Sequence, residues 1–160
     1  MKKMKIPLTL NSNKLILDCA PEESLLSVLR NQGCLSVKTG CAKGYCGSCT
    51  VLLDGNPVPS CKIPVSIIKG SEIITLEYFT KTEEYNAIIS GFKKAYINLC
   101  GYCNSAKIFA AYQVLCLKQN LTREDIAVYL KNLAPCCTDL DTLINGIIYA
   151  MKAYNTSNKN

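Results

Sequence analysis

The chain has 160 residues, 49% of them hydrophobic, which is enough to bury the core of one ordinary domain or of two small ones. Its net charge of +6 arises from 18 basic and 12 acidic residues scattered among one another, a solvated surface rather than the basic tract of a nucleic-acid or membrane binder. No positively charged start leads into an apolar stretch, and no apolar run approaches the roughly 18 residues of a membrane span, so residence in the cytoplasm is expected.

In chain order, Lys5 to Leu10 and Lys14 to Cys19 read as strands joined through the turn residues Asn11, Ser12 and Asn13. From Pro21 a short helix is expected, with Leu25, Leu26, Val28 and Leu29 as its apolar face and Gly33 as its stop. Thr50 to Leu53, the turn Asp54-Gly55-Asn56 and the residues from Val58 onward predict a second hairpin, and Glu72 to Tyr78 alternates as a further strand. After Tyr78 the apolar spacing becomes helical, first through Tyr85, Ile88, Ile89 and Phe92, then through Ile108, Phe109, Ala111, Tyr112 and Leu115. Thr122 followed by Asp125 opens a third helix through Asn132 that Pro135 must end, and a fourth runs near Thr142 to Tyr154. The expected fold class is α+β, with a small sheet-and-helix domain over residues 1–78 and a four-helix domain over residues 79–160.

The eleven cysteines are an odd number and fall just short of the ~8–10% share that marks a disulfide scaffold. In a reducing compartment such a density points to metal, and the absence of histidine leaves all-thiolate sites holding zinc or iron–sulfur. Residues 40 to 55 read GCAKGYCGSCTVLLDG, which gives Cys41, Cys46 and Cys49 the C-x4-C-x2-C spacing of plant-type ferredoxins, with Cys61 available as a fourth ligand. A loop around a sulfide-rich anion must turn backbone N–H groups inward and needs residues tolerant of positive φ, a role open to Gly40, Gly44 and Gly47. Structural zinc is the competing reading, although zinc ribbons usually pair two short CxxC knuckles. Cys100 and Cys103 form a CxxC at the junction of two helices, and Cys136 and Cys137 lie between two later ones, so these four can meet in space. Buried inert thiols compete with that second reading. Cys19, Cys34 and Cys116 match no ligand position and read as small core or surface residues.

Taken together, SLLSVLRNQG, the loop GCAKGYCGSCTVLLDG, VPSCKIPV around Cys61, the strand EIITLE, the CGYC junction and NLAPCCT resemble the iron–sulfur subunit of the xanthine dehydrogenase and aldehyde oxidoreductase family, the molybdenum hydroxylases. The resemblance covers nearly the whole chain. It implies two 2Fe-2S clusters, one held by Cys41, Cys46, Cys49 and Cys61 in a β-grasp ferredoxin-like domain facing a flavin, the other by Cys100, Cys103, Cys136 and Cys137 in a helical domain facing molybdopterin. It also implies partners, a molybdopterin-binding large subunit and an FAD-binding subunit. Electrons would run from molybdenum through the Cys100 cluster and then the Cys41 cluster to FAD or another acceptor.

The second half departs from the family pattern three times. Leu99 replaces a Gln that touches the pterin, Asn104-Ser105-Ala106 replaces Thr-Pro-Gly, and Pro135-Cys136-Cys137-Thr138 replaces Cys-Arg-Cys-Thr. Adjacent side chains diverge in an extended chain, so ligation by both Cys136 and Cys137 requires a tight bend. The competing functions are a free-standing ferredoxin-like carrier and a docking subunit that has lost its second cluster. No nucleophile–base pair is present and histidine is absent, so substrate chemistry is expected on a partner chain.

Overall fold

A computed structural model describes residues 3–117, 121–134 and 137–157. Strands β1 (Met4–Leu10) and β2 (Asn13–Cys19) form the first hairpin, in register from Met4 opposite Cys19 to Leu10 opposite Asn13. Its two-residue turn puts Asn11 and Ser12 at φ of 50° and 67°, and the second hairpin does the same with Asp54 and Gly55 at 49° and 81°. Both central residues at positive φ match the twist of antiparallel strands, which explains the short polar turn sequences. Strands β3 (Thr50–Leu53) and β4 (Asn56–Pro59) form that second hairpin, and β5 (Glu72–Ile74) joins the two halves of a five-stranded sheet ordered β2-β1-β5-β3-β4. Among the described strands only the β1–β5 pairing is parallel.

Helix α1 (Leu25–Asn31) starts where the Ser24 side chain accepts the Ser27 N–H, and it buries Leu25, Leu26, Val28 and Leu29 against the sheet. The core it seals contains Ile6, Leu8, Leu17, Val51, Val65 and Ile73, and also Cys19 and Cys34. Burial pushes the thiols of Cys19 and Cys34 above the ordinary cysteine range, as suits inert packing residues.

The strand expected over Glu72 to Tyr78 is shorter than the alternation suggests. It ends at Ile74, and residues Leu76–Phe79 form a helical turn, α2. The cause lies in the first hairpin: Thr75 is fully buried, its N–H donates to Asn11 Oδ1 at 2.9 Å, and Asn11 Nδ2 donates to Thr75 Oγ1 at 3.0 Å. These bonds draw the chain out of the sheet, and Phe79 is buried in a second core instead of following a strand face. That core gathers Phe92, Ile108, Phe109, Val114, Ile126, Leu143 and Ile147 from α3 (Glu83–Lys94), α4 (Asn104–Cys116), α5 (Arg123–Leu130) and α6 (Leu140–Ser157), and it reaches Leu52 on the sheet. Six α-helices thus lie among the described residues: α1 in the first half, where one helix is expected, the turn α2, which is not expected, and α3 to α6 within residues 79–160.

The Thr122–Asp125 capping box forms as its spacing predicts, with Thr122 N–H donating to Asp125 Oδ2 at 2.9 Å and Asp125 N–H to Thr122 Oγ1 at 3.2 Å. α5 stops at Leu130, two residues before the expected end. Among the described residues no helix is long and apolar enough to cross a membrane.

Candidate metal centres

The loop between α1 and β3 carries Cys41, Cys46 and Cys49, and the single turn of 3-10 helix at Ser60–Lys62 presents Cys61 beside it. The buried Ser60 ties these two pieces together, its Oγ donating to the Cys49 carbonyl at 2.7 Å and its N–H to the same oxygen at 3.2 Å. Within the loop, Lys43 N–H and Cys46 N–H donate to Cys41 Sγ at 3.3 and 3.4 Å, and Cys41 N–H donates to Cys46 Sγ at 3.3 Å. Donation from Lys43 N–H, reinforced by Cys46 N–H, outweighs desolvation and brings the Cys41 thiol down to about 6, so it is a thiolate at neutral pH. Cys61 moves the other way, to about 11, because burial and its hydrogen bond and charge contact with Cys49 penalise a second unneutralised thiolate. Bound ferric or ferrous iron would remove that penalty.

The loop glycines do different work from that expected of all three. Gly44 and Gly47 take φ of 92° and 79°, as a wrapped loop requires. Gly40 does not take positive φ; a Cβ there would lie 2.6 Å from Cys46 Sγ, 2.9 Å from Tyr102 Oη and 3.0 Å from Ser48 Oγ, so it is glycine because of close approach. Ala42, which the pattern did not single out, adopts φ of 54° in the same loop.

The second set of cysteines lies at helix ends. Cys103 is the N-cap residue of α4 and is buried, while Cys100 and Cys137 are at the surface. Pro135 and Cys136 lie outside the described residues, so the expected ligation by Cys136 does too. Gly101 takes φ of 89° between Cys100 and Cys103, and its N–H donates to Asn104 Oδ1 at 2.9 Å. Asn104 is therefore the first helical residue, reaching back into the CGYC turn, and the helix has no side-chain cap. One turn along, Lys107 is 2% exposed and its Nζ donates to Cys103 Sγ at 2.8 Å. Sequence reasoning missed Lys107; its signal was a lone cation in the apolar run Ala106 to Ala111, four residues after a candidate ligand. Lys107, which contacts Cys103, also lines a cleft with Leu130, Lys131, Ala134, Thr138 and Asp139, residues on either side of Cys137.

Cys116 closes the opposite end of α4, about 20 Å along the axis from Cys103. It is hydrogen-bonded to Tyr112, whose hydroxyl is pushed upward first by burial and then by that contact. It cannot share a site with Cys103.

The two sets of cysteines share a wall. A Cβ on Gly47 would collide with Ala106 Cβ and sit 3.9 Å from Cys103 Cβ, Tyr102 Oη lies over Gly40, and Lys38 Nζ donates to the Gly101 carbonyl. The loop thus packs directly on the start of α4.

The donors fit 2Fe-2S clusters by their chemistry. They are sulfur only, the first loop aims N–H groups at its sulfurs, and the buried sulfur of the second set already faces a cation. Among the described residues no three cysteine or carboxylate side chains converge on one metal ion. A binuclear cluster does not require such convergence, since each of its irons takes two protein ligands.

A family model for the 2Fe-2S iron-sulfur cluster binding domain matches residues 8–72. The chain is 33% identical over 153 residues to the nicotinate dehydrogenase small FeS subunit of Eubacterium barkeri, covering 95% of this chain and 98% of that one. It is also 33% identical over 145 residues to the xanthine dehydrogenase iron-sulfur-binding subunit of Escherichia coli, covering 89% and 91%. Among solved structures, quinoline 2-oxidoreductase from Pseudomonas putida superposes over 98% of both chains with a TM-score of 0.83 and 28% identity. Aldehyde oxidoreductase from Desulfovibrio desulfuricans matches 95% of this chain and 17% of its own, with a TM-score of 0.80 and 30% identity. Identity sustained along nearly the full length of both chains, on a fold of the same kind, places the protein in the family of iron–sulfur subunits of xanthine dehydrogenase-type molybdenum hydroxylases.

Proposed function

We propose that this chain carries two 2Fe-2S clusters and passes electrons from a molybdopterin site on a large partner subunit to FAD, or another acceptor, on a second partner. The observation that carries the reading is the shared wall: Gly47 of the first loop against Ala106 and Cys103 of the second junction. Two cysteine sets built into one contact suit a relay within one chain, and a diffusing ferredoxin has no need of the second. A bound 2Fe-2S cluster supplies one-electron oxidation and reduction. The chain's own part is to hold four thiolates at each site, to compensate their charge and to keep the sites adjacent.

In the first site the ligands are Cys41, Cys46, Cys49 and Cys61. They fall into two pairs, Cys41 with Cys46 through mutual N–H donation and Cys49 with Cys61 through their side chains, which suits two irons with two thiolates each. In the second they are Cys100, Cys103, Cys136 and Cys137. The first ligand set belongs to a β-grasp domain over residues 1–78 and the second to a helical domain over 79–160, and the protein works in the cytoplasm, where its thiols stay reduced.

The exposure of Cys100 and Cys137 favours one alternative, a docking subunit whose second cluster is gone. Iron and sulfide analysis of the anaerobically purified chain separates the readings. About four irons and four sulfides, with two EPR signals after dithionite reduction, are expected; about two irons indicate the docking subunit, and stoichiometric zinc without visible absorption refutes both.

A further inference from the structure

A lysine sealed in an apolar core is costly unless its charge has a partner. Lys107 is such a residue, flanked on α4 by the buried Ala106, Ile108, Phe109 and Ala110, and its Nζ donates to Cys103 Sγ at 2.8 Å. A surface lysine forming an incidental ion pair would have its ammonium in water; here the ammonium is enclosed together with the sulfur, where screening by solvent is weak. The side chain also borders the cleft that runs to Ala134 and Thr138, on either side of the Cys136–Cys137 pair. It thus stands where the second set of thiolates would gather.

We propose that Lys107 is the charge-compensating residue of the second cluster, a fixed cation on a ligand sulfur that raises that cluster's reduction potential above what four thiolates alone would give it. The inference rests on the two-cluster reading above. Its direction follows from charge balance: one electron, supplied by dithionite in the test and, in the enzyme, by the molybdopterin-bearing partner subunit as it oxidises substrate, adds one negative charge to an anionic centre. A nearby ammonium and its N–H···S bond stabilise the more negative, reduced form more than the oxidised one. Lys107 touches a ligand and not the metal, so it is a positioning and tuning residue.

The test is an EPR-monitored redox titration of the full chain, with the second cluster identified as the signal that survives in Cys46→Ser. Lys107→Met is expected to lower the midpoint of that signal by at least a tenfold change in its reduction equilibrium, 59 mV for a one-electron couple, and to leave the first cluster's midpoint in place. Lys107→Arg, which keeps the charge, should restore most of the shift. Four irons with an unchanged midpoint in Lys107→Met overturns the inference and leaves the two-cluster reading standing. Two irons in the unsubstituted chain overturns that reading and this inference with it. If Lys107→Met loses its iron, Lys107→Gln carries the comparison: a lowered midpoint supports the role of the charge, and an unaltered one refutes it.

Discussion

Three of the four ligands proposed for the first site lie within the single loop from Gly40 to Cys49, and the fourth is fastened to it by the Ser60–Cys49 bonds. The second site has no such loop. Its proposed ligands come from two separate stretches of sequence, Cys100 and Cys103 before and at the start of α4, and the Cys136–Cys137 pair beyond α5, with Lys107 reaching Cys103 from one turn along α4. The first site compensates its sulfurs with backbone N–H groups, as at Cys41; the second does so with a buried side-chain cation at Cys103. A site organised by its own loop depends on local backbone geometry, whereas a site organised between helices depends on the core that holds them. Substitutions should therefore act locally in the first and through packing in the second.

The largest effect should come from Cys46→Ser, which removes a first-site ligand. Iron is expected to fall from about four to about two per chain with one EPR signal lost, while the helical half keeps its own signal. Loss of both signals from a folded variant would show that the two sites are not independent.

The second site offers a sharper contrast between neighbouring thiols. Cys136→Ser should lower the iron content or change the second EPR signal, because Cys136 is one of the four ligands proposed for that cluster. Cys116→Ser should leave both signals unchanged, since Cys116 sits at the far end of α4 and is bonded to Tyr112. A silent Cys136→Ser beside a Cys137→Ala that abolishes the signal would place the fourth ligand elsewhere.

The wall between the sites can be probed with two glycines of nearly equal φ. Gly55→Ala, at φ of 81° in open space, should cost about 1 kcal/mol for the left-handed conformation alone. Gly47→Ala, at 79° and facing Ala106, adds overpacking and should cost about 2–4 kcal/mol in urea unfolding, with both EPR signals broadened. Equal costs at the two positions would mean that the loop and α4 yield to one another easily.

The smallest effect concerns how the loop is anchored upstream. Ser36 N–H and Oγ donate to the Glu77 carboxylate on α2. Burial alone would raise this carboxyl, but donation from Ser36 and Thr75 outweighs it and holds the group below the usual glutamate range. The stabilisation is therefore present above the unfolded-state value near 4.3 and is lost as pH falls through the lower folded value. Glu77→Gln should flatten the stability profile in that acid window and change stability at pH 7 by less than about 1 kcal/mol, because the residue is exposed to solvent.

Much of this molecule is local and so could be read from residue order. The two hairpins follow from turn chemistry at Asn11-Ser12 and Asp54-Gly55, the helix starts from caps such as Thr122 with Asp125, and the first metal loop from the spacing of Cys41, Cys46 and Cys49. Each depends on interactions between residues a few positions apart. What residue order did not determine depends on contacts made across the fold. The early end of β5 is set by Asn11, 64 positions away from Thr75. Gly40 is crowded by Cys46 and Ser48 of its own loop and also by Tyr102, a contact that exists only once the loop meets the CGYC junction. Lys107 reads as a misplaced surface charge until packing buries it among the apolar residues of α4, where its Nζ donates to Cys103 Sγ.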